Sequence, residues 1–363
     1  MSEGLEGVVA ARTQLSDVDG AAGRLIIRGH ALNELSGCVP FEGVIHLLFD
    51  GFFEGLPSVE DIALRLGGAR AEVFAEADLL ARFDDLEPVE AVRALVARLP
   101  DGDDLQTALR LVAAHAVFTA AVVRLKAGFS PIAPDPTLGH AADTLRMLTG
   151  KVAAPAEAAA LDAYLATVCD HGLNASTFAA RVVASTRAGL TSAVLAGLSA
   201  LKGPLHGGAP GPVIQMLDDI GEPSAARLWL EAALDRGDRL MGFGHRIYRV
   251  SDPRADALKA AIAALADAGR TLPGRLAFAE AVEAAALEVL KVRKPDRSLE
   301  TNVEFYTALL LEALNFPPDA FTCVFAMGRV AGWIAHAREQ TASGRLIRPD
   351  SIYVGPAPHA RAA

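Results

Sequence analysis

"DLQTALRLVAAHAVFTAAVVRLKAG", residues 104–128, decides the fold class. It is apolar nearly all round, rich in alanine and leucine, and stopped by Gly128, which predicts a long helix. A helix with no polar face must be buried on every side, so it needs a large helical core around it. Its neighbours supply one. "FEGVIHLLFDGF" (41–52) places Val44, Leu47 and Leu48 on one face. "PVEAVRALVARL" (88–99) opens with Pro at a first helical position and repeats apolar residues at three and four. Further helical patterns cover 139–149, 155–170, 174–189, 190–202, 212–220, 223–236, 252–268 and 276–294. "LETNVEFYTALLLEALNFP" (299–317) reads as a helix closed by Pro317 and Pro318, and another spans 318–343. Residues 5–29 read as short extended pieces with Gly turns, including a strand of Leu25, Ile26 and Ile27. The prediction is a mostly α protein with a short β segment near the N-terminus. "GPLHGGAPGP" (203–212) is its sharpest break and the Pro-rich tail is irregular.

Composition narrows the chemistry. With 363 residues and 52% hydrophobic content the chain can bury a sizeable core. Cys38, Cys169 and Cys323 are far apart and form no CxxC, so neither a disulfide framework nor a cysteine zinc site is expected. Reduced thiols fit a cytoplasmic protein. The N-terminus carries glutamates where a signal peptide has positive charge, and apolar stretches such as 190–201 read as too short to span a bilayer. A net charge of -10 argues against nucleic acid as a partner.

Against that acidic background, "RLMGFGHRIYRVSDPRA" (239–255) gathers Arg239, His245, Arg246, Arg249 and Arg254 with one acid, Asp252. A small anion suits so local a cluster, and Gly242 and Gly244 let backbone approach it closely. Arg329 lies in the apolar "FAMGRVAGWIAH". A guanidinium cannot shed its proton, so burial there demands an anion. Arg348 lies before Pro349 in "RLIRPDSIY". Converging arginine forks suit a dicarboxylate, or phosphate on a cofactor tail. Surface salt bridges are the plainer reading for Arg239 and Arg246.

Among the histidines, His46 and His115 sit in apolar helical patterns and read as core residues, and His30, His140, His336 and His359 have no distinctive context. His171, His206 and His245 each lie at a helix boundary or Gly-rich break. Their spacing matches no metal-ligand pattern, so no metal is expected, and "GFGHRI" is not a dinucleotide fingerprint. Glu304 is either on an exposed helix face or partly buried. Burial would raise its pKa toward the range of a general base.

"HGLNASTFAARVVAST", "LKGPLHGGA", "LMGFGHRIYRVSDPRA" and "TNVEFY" occur in the order found in the citrate synthase family, which the chain resembles nearly end to end. The resemblance implies the citrate synthase fold, with a large helical domain of 1–206 and 310–363 and a smaller helical domain of 207–309. It implies a homodimer with the active site between the domains. It also implies condensation of acetyl-CoA with oxaloacetate and hydrolysis of the citryl thioester. CoA enters as a thioester substrate, so no separate cofactor is expected. His206 matches the donor to the thioester carbonyl, Glu304 the base, and His245 the donor to the oxo carbonyl. His171, Arg254, Arg329 and Arg348 match oxaloacetate-binding positions, with Arg348 expected from the partner subunit. Arg249 matches a CoA-phosphate contact, and Gly242, Phe243 and Gly244 should lie near the adenine. Three positions depart from the family pattern: Glu304 replaces Asp, Pro210 follows Ala209 where Asn is common, and Gly172 stands where Glu is common. Two alternatives stand beside this reading. One is a 2-methylcitrate synthase using propionyl-CoA. The other is a catalytically impaired paralogue that binds oxaloacetate or CoA.

Overall fold

The computed structural model describes residues 3–5, 7–83, 85–207, 211–245, 247–248, 250–270 and 274–356. A small antiparallel sheet comes first: β1 (Ser16–Asp19), β2 (Arg24–Ile27) and β3 (His30–Ala31). Ser16 faces Ile27 and Asp19 faces Arg24 across the first hairpin. Helices follow: α1 (Leu32–Leu35), α2 (Phe41–Phe49), α3 (Val59–Phe74), α4 (Pro88–Val96), α5 (Leu105–Lys126), α6 (His140–Thr149), α7 (Pro155–Val168), α8 (Ala175–Ala184) and α9 (Leu190–Leu201). After the Gly/Pro break come α10 (Gly211–Ile220), α11 (Ala226–Asp235), α12 (Pro253–Asp267), α13 (Arg275–Arg293), α14 (Val303–Ala313) and α15 (Phe321–Ser343). The expected mostly α architecture is present.

Local chemistry sets these boundaries. Asp104 caps α5 by accepting from the Thr107 N–H at 2.8 Å, and Gly150, at φ 76°, ends α6. The helix expected over 299–317 is shorter at both ends. It starts at Val303 because residues 300–302 pair with a distant loop. It stops where Asn315 turns left-handed (φ 65°) and the Phe316 N–H reaches the Leu311 carbonyl. The helix expected to 189 ends at Ala184, ahead of the left-handed Arg187 and Gly189.

The centre of the fold is α5 and α15. α5 is enclosed by α3, α4, α6 and α15, and α15 also packs on α7, α8 and α9. The expectation about bilayer length needs correction. Leu105–Lys126 and Pro318–Ala342 are each long and apolar enough to cross a membrane, but both lie mostly buried within the fold. α15 approaches α7 at glycine: a Cβ on Gly328 would lie 2.5 Å from Val168 Cγ2, and one on Gly332 would collide with the Cys169 carbonyl. That close approach sets Arg329 beside the end of α7 and the Asp170–His171 turn. α12 packs on both α7 and α14, which draws the 239–255 stretch toward the same place.

Candidate active site

His206 stands on the short turn after α9, half-buried, with its backbone N–H bonded to the Gly203 carbonyl. Its Nε2 lies 2.8 Å from Ser176 Oγ and 3.3 Å from the Ser176 backbone N–H. Ser176 opens α8, capped by Asn174, and its Oγ also receives the Trp333 indole N–H at 3.1 Å. A backbone N–H only donates, so its aim at Nε2 places the ring proton on Nδ1. Burial, and then the charge of Arg329, lower the His206 pKa to about 4. At neutral pH His206 is an uncharged imidazole with an Nδ1–H to donate.

His245 is set by its own loop. Its Nδ1 accepts from the backbone N–H groups of Ile247 at 3.0 Å and Tyr248 at 3.1 Å. Its neutral ring therefore carries the proton on Nε2. Burial and then Arg254 lower its pKa to about 4, against an opposing pull from Asp252. The Arg254 Nη2 lies 3.1 Å from that same Nε2. Two donors thus face one another with no acceptor between them, the arrangement of a seat for an anionic oxygen. Arg254 is buried and already grips Asp252 with Nε at 3.0 Å and Nη2 at 2.8 Å. Asp252 is also the N-cap of α12, accepting the Arg254 N–H at 3.0 Å, and Pro253 is the first helical residue. His171 closes this group. Its Nε2 is 3.1 Å from the Tyr248 hydroxyl, and its ring stands edge-on to His245 at 5.7 Å. Burial, Arg254 and Arg329 hold His171 well below the usual imidazole pKa.

Arg329 is 1% exposed. Its Nε donates to the Val168 carbonyl at 2.6 Å and its plane lies 4.9 Å from the Phe325 ring. Among the described residues it forms no ion pair. Burial lowers its pKa to about 10, which leaves it a cation at neutral pH. Glu304 begins α14 beside its cap Asn302. Its Oε2 is fully enclosed and, among the described residues, has no hydrogen-bond partner. Burial raises its pKa above the ordinary carboxylate value of 4.5, with Arg254 opposing. Between Glu304 and Gly207, which directly follows His206, lies a cavity of about 10 Å³ walled also by Val168 and Phe325.

Gly242, Phe243 and Gly244 build this site from behind. The Gly244 N–H bonds the Glu300 carbonyl at 2.7 Å, and the Asn302 N–H bonds the Gly242 carbonyl at 2.9 Å. Both glycines have positive φ, and a Cβ on either would strike Phe305 or Leu299. Phe243 is buried against Phe305 at 5.4 Å. The loop therefore locks the His245 segment to the start of α14, so His245 and Glu304 share one scaffold. Just before it, a cleft of about 510 Å³ opens between Gly211, Gln215, Met216, Arg239 and Met241.

The fold thus gathers His171, His206, His245, Arg254, Arg329 and Glu304. Arg348 stands apart, exposed in the tail, where the Ile347 N–H is anchored to Ser185 Oγ at 3.0 Å. Arg249, Arg246, Pro210 and His359 lie outside the described residues. Gly172 has φ 61°, a conformation that disfavours the glutamate common at that position. The sequence reading passed over Asp170 and Tyr248 and gave His336 no distinctive context. Asp252 left a local signature, an Asp before Pro at a helix start. Among the described residues no group of three or more His, Cys, Asp or Glu is arranged to hold a metal ion.

Comparison with known proteins gives a consistent result. Residues 4–350 match the family model "Citrate synthase, C-terminal domain". Citrate synthase of Haloferax volcanii is 37% identical, over 98% of this chain and 96% of that protein. The 2-methylcitrate synthase of Mycobacterium tuberculosis is 35% identical, over 98% and 91%. Among solved structures, a ternary complex of carboxymethyl coenzyme A and oxaloacetate with citrate synthase from Thermoplasma acidophilum superposes with a TM-score of 0.87. That match has 27% identity and covers 100% of this chain and 98% of that one.

Proposed function

Since this chain belongs to the citrate synthase family, we propose that its site condenses acetyl-CoA with oxaloacetate and hydrolyses the resulting citryl thioester to citrate and CoA. One observation carries this reading: a buried carboxylate without a partner at Glu304 faces, across a single small cavity, the turn that bears the neutral His206. The α-proton of a thioester is too weakly acidic for a carboxylate to remove unaided. Glu304 takes the proton while His206 Nδ1–H donates to the thioester oxygen as it becomes an enolate. The raised pKa of Glu304 makes it a stronger base than an exposed carboxylate. The enol carbon then attacks the oxo carbon of oxaloacetate, whose carbonyl oxygen accepts from His245 Nε2–H. That oxygen satisfies the two facing donors of His245 and Arg254. The substrate carboxylates pair with Arg254 and with Arg329, a buried cation that forms no ion pair among the described residues, and His171 borders the same space.

The remaining assignments complete this reading. CoA lies along the cleft at Arg239 and Met241, with Arg249 on its phosphates and the 242–244 loop by the adenine. Segments 1–206 and 310–363 close on 207–309 to exclude water. The exposed tail donates Arg348 to the site of a second copy, giving a cytoplasmic homodimer. Exposed apolar residues flanking it, Leu346, Ile352 and Tyr353, suit an interface.

A CoA-release assay with oxaloacetate and a panel of acyl-CoAs tests the proposal. The expected result is turnover that is fastest with acetyl-CoA. A strong preference in kcat/KM for propionyl-CoA would replace it with the 2-methylcitrate reading, which the Mycobacterium tuberculosis relative favours. One methylene is worth only about 1–3 kcal/mol in such a pocket. Ligand binding without turnover on any short acyl-CoA would establish the impaired paralogue.

A further inference from the structure

The cavity at Glu304 carries more polarity than the reaction above uses. Its walls include Tyr164 from α7, Thr307 from α14, and the apolar Val168 and Phe325. Its volume of about 10 Å³ is room for one water molecule. Two of its walls hold buried oxygens without a hydrogen bond among the described residues, the Tyr164 hydroxyl and Glu304 Oε2. The Thr307 hydroxyl lies close to that of Tyr164, near enough to act on its titration, yet the Tyr164 oxygen finds no bond of good geometry there. A water in a protein interior needs two to four polar partners, and three residues lining this cavity, Tyr164, Thr307 and Glu304, carry a side-chain oxygen.

We propose that this cavity is a water site, and that Tyr164 and Thr307 act through that water as positioning residues for the Glu304 carboxylate. The Tyr164 O–H donates to the water oxygen. The water donates one proton to Glu304 Oε2 and the other to Thr307 Oγ1. Burial keeps Tyr164 protonated at any working pH, so it is a permanent donor. Oε2 is then fixed on the protein side and Oε1 is left for the substrate. The arrangement also answers the longer side chain at this position, since the water ties down a carboxylate with one more rotatable bond than aspartate. The charges bearing on Glu304 are Arg254 of α12, Asp252 at its cap, and Arg239 of the loop before Gly242. Arg329 of α15 bears on Tyr164. None of them bonds to Oε2, so among the described residues no protein group donates to it and the water does.

The inference rests on the reading of Glu304 as the base, and three measurements separate the two. A high-resolution crystal structure of the full chain should show a water within bonding distance of Tyr164, Thr307 and Glu304. Infrared titration of the Glu304 carboxyl, assigned with Glu304→Gln, should move upward by about one pH unit in Tyr164→Phe and in Thr307→Val. The acid limb of the kcat–pH profile should move with it, about tenfold in kcat at fixed pH on that limb, while the KM for oxaloacetate stays within about twofold. Thr307→Ser, which keeps the hydroxyl, should behave as the parent. A dry cavity, or an unshifted carboxyl titration in an enzyme that Glu304→Gln inactivates, would overturn the water site alone. A shifted titration in a protein whose turnover survives Glu304→Gln would keep the water site and remove the base assignment.

Discussion

Two buried polar clusters share helix α15, about 10–15 Å apart along its axis, and they are built on opposite plans. Around His336 and Glu339 every charge is matched. Arg181 bonds Gln340 at 3.1 Å and His336 Nδ1 at 3.0 Å and pairs with Glu339. Asp170 receives Ser16 Oγ at 2.6 Å and His336 Nε2 at 3.2 Å. Around Arg329 the matching is left open. Among the described residues Arg329 has a carbonyl and an aromatic face but no ion pair, Glu304 Oε2 has no protein partner, and His245 and Arg254 point donors at each other. The first cluster ties the N-terminal sheet to the core. The second has the polarity of a core network with its central members supplied by a ligand. Burial alone does not distinguish architecture from a binding site, but completeness of pairing does.

The comparison can be broken by substitution. Glu304→Gln removes the base and keeps the side chain's shape, so kcat should fall by about 10²–10⁴-fold with oxaloacetate affinity retained, as measured by CoA release and calorimetry. Arg181→Met leaves Glu339 without its buried cation and should cost about 3–5 kcal/mol in urea unfolding. Arg329→Gln, at equal depth, should leave stability within about 1 kcal/mol of the parent because no pair is broken. The same change should weaken oxaloacetate by 2 kcal/mol or more, about thirtyfold. Equal destabilisation by the two arginine changes would erase the distinction between the clusters.

Acid sharpens it further. His206 and His245 take up a proton near pH 4 when folded, against 6.5 as the ordinary value. Between those limits the unfolded chain binds protons that the folded chain does not, so stability must fall as pH drops from about 6.5 to about 4. Thermal unfolding across that range should show the decline, and His206→Asn should flatten it. The smallest effect belongs to Gly172. Its left-handed backbone, behind His171, predicts a loss of about 1–2 kcal/mol for Gly172→Ala.

Much of this was legible in the sequence because it is local. Apolar period and capping residues give the helices, as at Asp104 and Pro155. His206, His245, Arg254 and Glu304 each sit in a short motif, and Arg329 announces itself as a charge in an apolar run. What escaped the sequence is made by distant pairing. Nothing near Glu300 shows that it meets Gly244, so the start of α14 was placed too early. Nothing near His336 shows that it lies between Asp170 and Arg181, more than 150 residues away. Tyr164 reads as one more apolar position on α7 until the fold sets it at the Glu304 cavity.

The most direct measurement is a crystal structure with oxaloacetate bound. The account predicts one carboxylate of the ligand on Arg329, the other on Arg254, and the oxo group accepting from His245 Nε2. Oxaloacetate bound elsewhere, with Arg329 still facing only Val168 and Phe325, would contradict it.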